Sequence, residues 1–241
     1  MQLFYSKDIA LGGICTLDAE ESRHAVRVLR LRAGDPINVT DGQGHLYRCR
    51  VLQADDRACA VEPEEALRTP QSPLPALHLA VAPTKNPSRM EWLVEKAVEV
   101  GVGEVTLLEC DHSERTFLKT ERLERIALSA MKQSLHVILP EIHPAVLLRD
   151  WLSSFRFANP TQKFIAHCEA GQPRTPLGAA LQGGRDAVVL IGPEGDFSAE
   201  EIALAQEQGF QPVSLGPSRL RTETAALYVC CAFNLVNDRS L

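Results

Sequence analysis

From residue 76 onward, short apolar runs alternate with stretches whose apolar residues recur at helical spacing. The runs are bounded by turn residues and predict buried strands, while the helical spacing predicts a helix between successive strands. This alternation favours an α/β fold in which a parallel sheet is covered on both faces. The predicted strands are 77–81, 105–108, 164–166, 188–191 and 213–215. The predicted helices include 88–100 (capped by Ser88 and ended by Gly101), 121–137 and 144–155.

The first 72 residues have a different pattern, which is typical of a small β-rich unit. Residues 37–40 and 45–51 flank the sequence Asp41-Gly42-Gln43-Gly44 and predict a β-hairpin. Prolines, acids and small polar residues between 62 and 75 predict an extended linker. We therefore expect two domains, at 1–72 and 73–241.

Two matching turns follow the last two predicted strands. The first reads Gly192-Pro193-Glu194-Gly195-Asp196, and the second runs from Gly216-Pro217 to Thr222. Each precedes a predicted helix, for which Ser198 with Glu201, and Thr222, would be the N-caps. Backbone N–H groups at helix starts hold polar or anionic ligands, and strand ends are where open α/β sheets bind them. The alternative is a pair of ordinary strand-to-helix turns.

Basic residues concentrate in two places. Residues 22–32 contain four arginines, one histidine and no acid, and Arg23, Arg27 and Arg30 could share one helical face. Such a face would bind phosphates or simply be solvated. Acids are interspersed in the second group, so it would contact RNA or form ion pairs along an exposed helix. This group is Lys85, Arg89, Arg115, Lys119, Arg122, Arg125 and Lys132. The candidate RNA-binding residues are Arg23, His24, Arg27, Arg30, Arg32, Lys85, Arg89, Arg115 and Gln133.

Composition narrows the classes of function. The net charge of −6 argues against a protein that coats nucleic acid indiscriminately. Seven cysteines without a C-x-x-C pair indicate neither a disulfide framework nor a zinc cage, and no histidine spacing suggests a metal. Cys168 is a nucleophile candidate, although a small buried core residue is the expected role. No membrane span or signal peptide is predicted, so we expect a cytoplasmic protein.

Nucleotide-binding and hydrolase motifs are missing. The sequence has no P-loop, no G-x-G-x-x-G after the first α/β strand and no G-x-S-x-G elbow.

The two turns resemble the closing motifs of the RsmE-type RNA methyltransferases of the SPOUT superfamily. The resemblance extends to both predicted domains, in the family's order. The matching segments are 24–30 with Asp41-Gly42, 95–102, 113–115, 121–122, 133–134 with 140–142, 191–195 and 215–225.

The resemblance implies a PUA-like N-terminal domain and a methyltransferase domain tied in a trefoil knot, a rare feature in proteins. It implies methylation of N3 of a uridine in small-subunit (16S) ribosomal RNA by a homodimer that uses S-adenosylmethionine (SAM), with the assembled subunit as the expected substrate and no metal. The alternatives are a SPOUT ribose 2′-O-methyltransferase, a non-enzymatic RNA-binding or assembly factor, and a flavodoxin-like or nucleotide-binding protein. The first is disfavoured by the absence of N-x-x-x-x-R near Lys96, and the last leaves the basic residues at 22–32 unexplained.

The resemblance also suggests roles for individual residues. Arg221 would stabilise the uracil anion, and Glu223 or Glu194 would accept the proton or only complement a helix N-terminus. Two departures from the family pattern stand out: Asp196 replaces the last glycine of G-P-E-G-G, and His136 replaces an Arg or Lys. Asp tolerates unusual φ, so we expect the turn to persist. The implied SAM-binding residues are Ala166, His167, Ile191, Gly192, Pro193, Glu194, Gly195, Leu215, Gly216, Leu220, Arg221, Thr222 and Thr224.

Overall fold

The structure is a computed structural model that describes residues 2–70, 75–116, 118–154, 161–169, 171 and 173–238. The backbone divides into two compact units, Met1–Pro73 with Leu128–Leu139 and Leu74–Ala127 with Pro140–Leu241. The first unit thus includes residues 128–139, which the sequence places in the second domain. The predicted boundary at 72/73 lies outside the described residues.

The first unit contains a five-stranded sheet of order β1-β3-β4-β5-β2. β1 is parallel to β3, and the other pairs are antiparallel. The predicted hairpin joins β3 to β4, where Gly42 has φ +74 and the Asp41 carboxylate accepts the Gln43 N–H at 2.7 Å. The strands are β1 Leu3–Tyr5, β2 Cys15–Thr16, β3 Pro36–Thr40, β4 Leu46–Gln53 and β5 Ala60–Arg68.

The basic segment forms a short helix with an irregular end. Helix α1 spans Ala19–Arg23 and continues into a π-helical turn, His24–Val28. Arg30 lies beyond this turn in the left-handed region, with φ +58. The prediction that Arg23, Arg27 and Arg30 share one regular helical face is therefore wrong, because the wider turn and the left-handed residue break the periodicity.

Strand β5 occupies the first half of the predicted linker, so that prediction is wrong for residues up to 68. Val61 is fully buried while its neighbours are more exposed, as expected for a half-buried strand. Pro63 is accommodated because it pairs with Cys49 next to a register shift between β4 and β5.

The second unit contains a seven-stranded sheet of order β10-β12-β9-β11-β6-β7-β8, in which every pair is parallel. All residues of β6 and β11 are buried, which explains their continuous apolar runs. The strands are β6 Leu77–Val81, β7 Glu104–Glu109, β8 Glu141–Leu147, β9 Gln162–Ala166, β10 Thr175–Pro176, β11 Ala187–Ile191 and β12 Gln211–Ser214.

Two of the helices begin at residues other than those predicted from the sequence. Helix α2 is capped by Asn86, whose side chain accepts the Ser88 N–H, with Pro87 at its first position. It ends at Gly101, as predicted, with φ 95. The predicted helix 144–155 is wrong over its first part, because β8 continues to Leu147 at the sheet edge, where Pro144 is tolerated. The helices are α2 Pro87–Val100, α3 Thr120–Ser134, α4 Leu148–Ser154, α5 Leu177–Ala180, α6 Ala199–Glu207 and α7 Thr222–Asn237.

A buried histidine connects two central strands of the second unit. His78 on β6 is 6% exposed, and its Nε2 lies 2.7 Å from the Thr106 hydroxyl. Burial and the neighbouring His143 lower the pKa of His78 to about 4. Glu104 lies 3.2 Å from Nδ1, but its carboxylate is 41% exposed and therefore offsets little of the burial.

The lowered pKa of His78 predicts an acid-sensitive fold. The unfolded chain takes up the proton near pH 6.5 and the folded one only near 4, so stability is lost as pH falls between these values. We expect the free energy of unfolding to fall by roughly 2 kcal/mol between pH 7 and pH 5, and His78→Gln to remove most of this slope. Urea denaturation at both pH values checks this, with exposed His112→Gln as the control. An unchanged slope in His78→Gln would contradict the prediction.

Candidate functional site

Three strand ends meet at one edge of the second sheet. β9 lies between β12 and β11, with Ala166 paired to Ile191 on one side and to Val213 on the other. The loops that follow these strands therefore lie side by side, as the sequence predicts for parallel strands. They enclose a cavity of about 370 Å³, within the range of small-molecule sites. Its lining is Ala166, His167, Cys168, Arg174, Ile191, Gly192, Pro193, Glu194, Asp196, Val213, Ser214, Leu215, Gly216, Ser218, Arg219, Leu220, Arg221, Thr222 and Ala225.

The turn after β11 leaves no room for side chains at its glycines. A Cβ on Gly192 would lie 3.2 Å from the Phe197 nitrogen, and one on Gly195 would lie 2.9 Å from the His112 Cβ. Asp196 has φ +65, so the turn persists with Asp at this position. The predicted capping box of α6 is confirmed, with both of its hydrogen bonds present.

The turn after β12 is connected to the first one. Gly216 has φ +114, and α7 begins at Thr222 after the N-cap residue Arg221. Thr222 does not cap this helix, because it is the first helical residue and its hydroxyl donates to the Gly192 carbonyl at 3.1 Å. The prediction of a Thr222 cap is therefore wrong, and Thr222 instead joins α7 to the first turn.

Most of the predicted SAM-binding residues line the cavity, but three residues predicted for the site do not. Gly195 packs against His112, and Thr224 is exposed on α7. Glu223 is 7% exposed, and its Oε1 lies 3.7 Å from the Arg89 Nε. Its Oε2 is buried without a hydrogen-bond partner among the described residues.

The two remaining catalytic candidates lie on the cavity. Arg221 is exposed at the second turn. Glu194 is also exposed, and its Oε1 accepts the Lys85 N–H at 3.0 Å. Of the two candidate carboxylates, Glu194 is thus the one that a bound ligand can reach.

His167 lies in the cavity wall as a neutral side chain. It is 4% exposed, and its Nδ1 accepts the Glu169 N–H at 3.2 Å. Burial lowers the pKa of His167, and the positive charge of Arg174 adds to this, although the negative charge of Asp196 opposes it. The Arg174 guanidinium also donates to the His167 carbonyl, so it fixes the end of β9.

Several lining residues were missed from the sequence. Cys168 is exposed, so the expectation of a buried core cysteine is wrong. Its position two residues after the end of β9 was the available signal. Ala225 lies one helical turn after Arg221, and the Arg221 carbonyl accepts the Ala225 N–H at 2.8 Å. Arg174 had no comparable signal, because no strand or helix is predicted between residues 167 and 187. The other missed residues are Asp196, Val213, Ser214, Ser218 and Arg219.

In the first unit, the predicted RNA-binding residues differ in availability. Arg23, Arg30 and Arg32 are exposed, whereas the His24 ring packs 5.6 Å from Phe4. Arg27 is exposed but forms an ion pair with Asp56. Gln133, on the part of α3 that belongs to this unit, is exposed.

In the second unit, acids accompany the basic residues. Lys85 Nζ lies 2.7 Å from Glu114, and Arg115 donates to the Lys85 carbonyl at 3.0 Å. Lys85 and Arg89, which lies beside Glu223, are thus paired with acids of distant segments rather than along one helix as the alternative predicted.

The part of the chain that the structure describes contains no cluster of three or more His, Cys, Asp or Glu side chains suited to a metal. Over the same residues, no helix combines the length and apolar character needed to cross a membrane.

Comparison with family models identifies the chain. An RNA methyltransferase domain model matches residues 70–234, and an RNA methyltransferase PUA domain model matches residues 17–64. The Ribosomal RNA small subunit methyltransferase E of Aquifex aeolicus (strain VF5) is 31% identical, over 95% of this chain and 97% of that protein. This chain belongs to the ribosomal RNA small subunit methyltransferase E family.

Solved structures agree with membership of the methyltransferase E family. A probable rRNA-methyltransferase from Porphyromonas gingivalis is 40% identical over 100% of both chains, with a TM-score of 0.90. A Ribosomal RNA small subunit methyltransferase E from Neisseria gonorrhoeae, bound to S-adenosyl methionine, is 26% identical over 98% of both chains, with a TM-score of 0.79. The predicted family and the predicted α/β fold with a PUA-like domain are confirmed, while the knot stays a prediction.

Proposed function

We propose that this protein transfers the methyl group of SAM to N3 of a uridine in small-subunit ribosomal RNA. The observation that carries the proposal is the cavity that the loops after β9, β11 and β12 form together, in a chain of the methyltransferase E family. We propose that it acts in the cytoplasm, with the assembled small subunit as its substrate.

The residues of the cavity fit SAM. Close approach of a ligand to backbone is possible at Gly216, where nothing lies within 4 Å of the Cβ position. Ile191, Leu215 and Leu220 supply apolar surface for an adenine ring, and the turns supply polar backbone groups. SAM would supply an electrophilic methyl group on a sulfonium. The remaining predicted contacts at the cavity are Ala166, His167, Pro193, Glu194, Arg221 and Thr222.

The protein must align uridine N3 and remove its proton. Alignment by the cavity walls supplies much of the acceleration. The Arg221 guanidinium, at the cavity rim, stabilises the negative charge that develops on a uracil carbonyl oxygen. Glu194 is the better candidate for the base, because it is exposed on the cavity, whereas Glu223 is buried beside Arg89.

RNA contacts are proposed on both units. Arg23, Arg30 and Arg32 are exposed and suit phosphates, and the same role is proposed for His24 and Arg27. Neutralised phosphates make binding salt-dependent. Four further residues complete the proposed RNA-binding set: Lys85, Arg89, Arg115 and Gln133.

The test uses labelled SAM with unmodified small ribosomal subunits and, separately, naked ribosomal RNA. The products are digested, and the methylated nucleoside is identified by mass spectrometry. N3-methyluridine from the subunits is the expected result. A 2′-O-methylated nucleoside would overturn the chemistry, and neither methyl transfer nor SAM binding would favour the RNA-binding factor instead.

We also propose a homodimer that associates through α7. Tyr228 and Leu235 are 47% and 65% exposed, and with exposed Cys231 they lie on one face of this helix. Leu235→Glu is expected to convert the dimer to a monomer in light scattering after gel filtration. Leu52→Glu, the same kind of exchange at an exposed position of β4, should leave the dimer intact. A monomeric parent protein would defeat the dimer proposal.

A further inference from the structure

Asp196 holds together three loops at the edge of the second sheet. Its carboxylate accepts two backbone N–H groups, from Cys168 at 2.6 Å and from Phe197 at 2.9 Å. Its carbonyl lies 3.1 Å from the His112 Nδ1, and its own N–H donates to the Pro193 carbonyl at 3.0 Å. One residue therefore contacts the loops after β7, β9 and β11.

The bond to Cys168 is the one that shapes the cavity. Cys168 and Asp196 both line the cavity, but they belong to loops that follow different strands. A carboxylate that accepts a backbone N–H forms one of the stronger hydrogen bonds in proteins. It holds the start of the loop after β9 against the turn after β11.

The loop after β7 is fixed to the same segment by further contacts. The Asp111 N–H donates to Glu201 at 2.9 Å, and the Ser198 hydroxyl donates to the Asp111 carboxylate at 2.7 Å. His112 also packs where a Cβ of Gly195 would lie. The turn that carries Asp196 is thus held from one side by the loop after β7, which leaves its carboxylate to position the loop after β9.

We infer that Asp196 is a positioning residue for the cofactor cavity. Its carboxylate holds the loop after β9 in the conformation that binds SAM. The inference rests on the proposed function, since it names SAM as the ligand. Its physical basis is preorganisation: a loop that is already ordered loses less conformational entropy when the ligand binds.

The backbone of Asp196 makes the inference testable. With φ +65, this position favours glycine, so Asp196→Gly removes the carboxylate and eases the backbone at once. If Asp196 served only the turn, Asp196→Gly would bind SAM as the parent protein does. If Asp196 acts as a clamp, the melting temperature of the Asp196→Gly variant is unchanged or higher, while its Kd for SAM rises about 10- to 100-fold.

A second variant removes the negative charge of the side chain but keeps one hydrogen-bond acceptor. Asp196→Asn keeps one carbonyl oxygen and tolerates the left-handed backbone, but its amide nitrogen accepts no hydrogen bond. It can satisfy only one of the two N–H groups, so a smaller rise in Kd is expected. Asp150→Asn, at an exposed position of α4, is the matched control and leaves the Kd unchanged.

The measurements are SAM titration by calorimetry, thermal unfolding, and hydrogen exchange of the Cys168 amide without ligand. Faster exchange at Cys168 in Asp196→Gly, with the α6 amides unaffected, is the expected signature of the lost clamp. A parent-like Kd for SAM, or a general rise in exchange with a lower melting temperature, would overturn the inference. A parent protein that does not bind SAM would defeat the proposed function, and the Cys168 exchange would still report on the clamp.

Discussion

Arg221→Ala is expected to lower the rate of methyl transfer about 100- to 1,000-fold, as loss of a donor to a developing oxyanion does elsewhere. The affinity for SAM should fall far less than the rate. Arg221 is the N-cap residue of α7, and its carbonyl accepts the Ala225 N–H at 2.8 Å, a backbone bond that alanine preserves. The Thr222 bond to Gly192 is preserved as well. The variant therefore removes a guanidinium from an intact cavity.

Single-turnover kinetics on small ribosomal subunits, with SAM affinity measured separately, checks the prediction for Arg221. Arg219→Ala removes the same charge from the same loop, and its rate should fall less than about tenfold if position matters more than net charge. Arg221→Lys keeps the positive charge but lacks the planar guanidinium, so it should recover only part of the rate. Unchanged turnover in Arg221→Ala would remove Arg221 from the mechanism.

The cavity could be predicted from the sequence because its signals are local. A buried run, Gly-Pro and a capped helix define each turn, and parallel strands bring the ends of β11 and β12 to one edge. The direction of each side chain could not be predicted in the same way. Glu223 follows Thr222 directly in the sequence, yet it lies beside Arg89, away from the cavity.

Prolines were a poor guide outside these turns. Pro63 and Pro144 suggested a linker and a helix start, but each lies within a strand. A register shift accommodates the first, and an edge position accommodates the second. Both features depend on which strands are neighbours, which periodicity does not reveal. Periodicity also fails to reveal the π-helical turn at His24–Val28, because its apolar spacing resembles that of an ordinary helix.

Sequence reasoning also missed a buried ion pair in the first unit. Lys132 donates to the carboxylate of Glu21, and the Glu21 side chain is 2% exposed. The two residues are 111 positions apart, so no periodicity connects them. The sequence placed Lys132 in a basic group suited to RNA, but its ammonium instead pairs with a buried carboxylate of its own unit.

Lys132→Met is expected to destabilise the first unit by about 3–5 kcal/mol at pH 7, because it leaves the Glu21 carboxylate buried without its partner. Its Oε2 already has no hydrogen-bond partner among the described residues. Chemical denaturation followed by a probe in this unit measures the loss. Lys96→Met is the control: Lys96 pairs with Glu95 and Glu99 on the surface of α2, so its removal should cost far less.

The pH dependence distinguishes a stranded charge from lost packing. Burial raises the pKa of Glu21 above its ordinary 4.5, although Lys132 opposes the shift. Without Lys132 the pKa rises further, so the variant is relatively most stable below pH 4.5 and loses stability as pH rises through the raised pKa. Glu21→Gln combined with Lys132→Met removes both charges and should recover most of the stability at pH 7. If the double variant were as unstable as Lys132→Met at every pH, the loss would come from packing of the lysine stem rather than from the buried carboxylate.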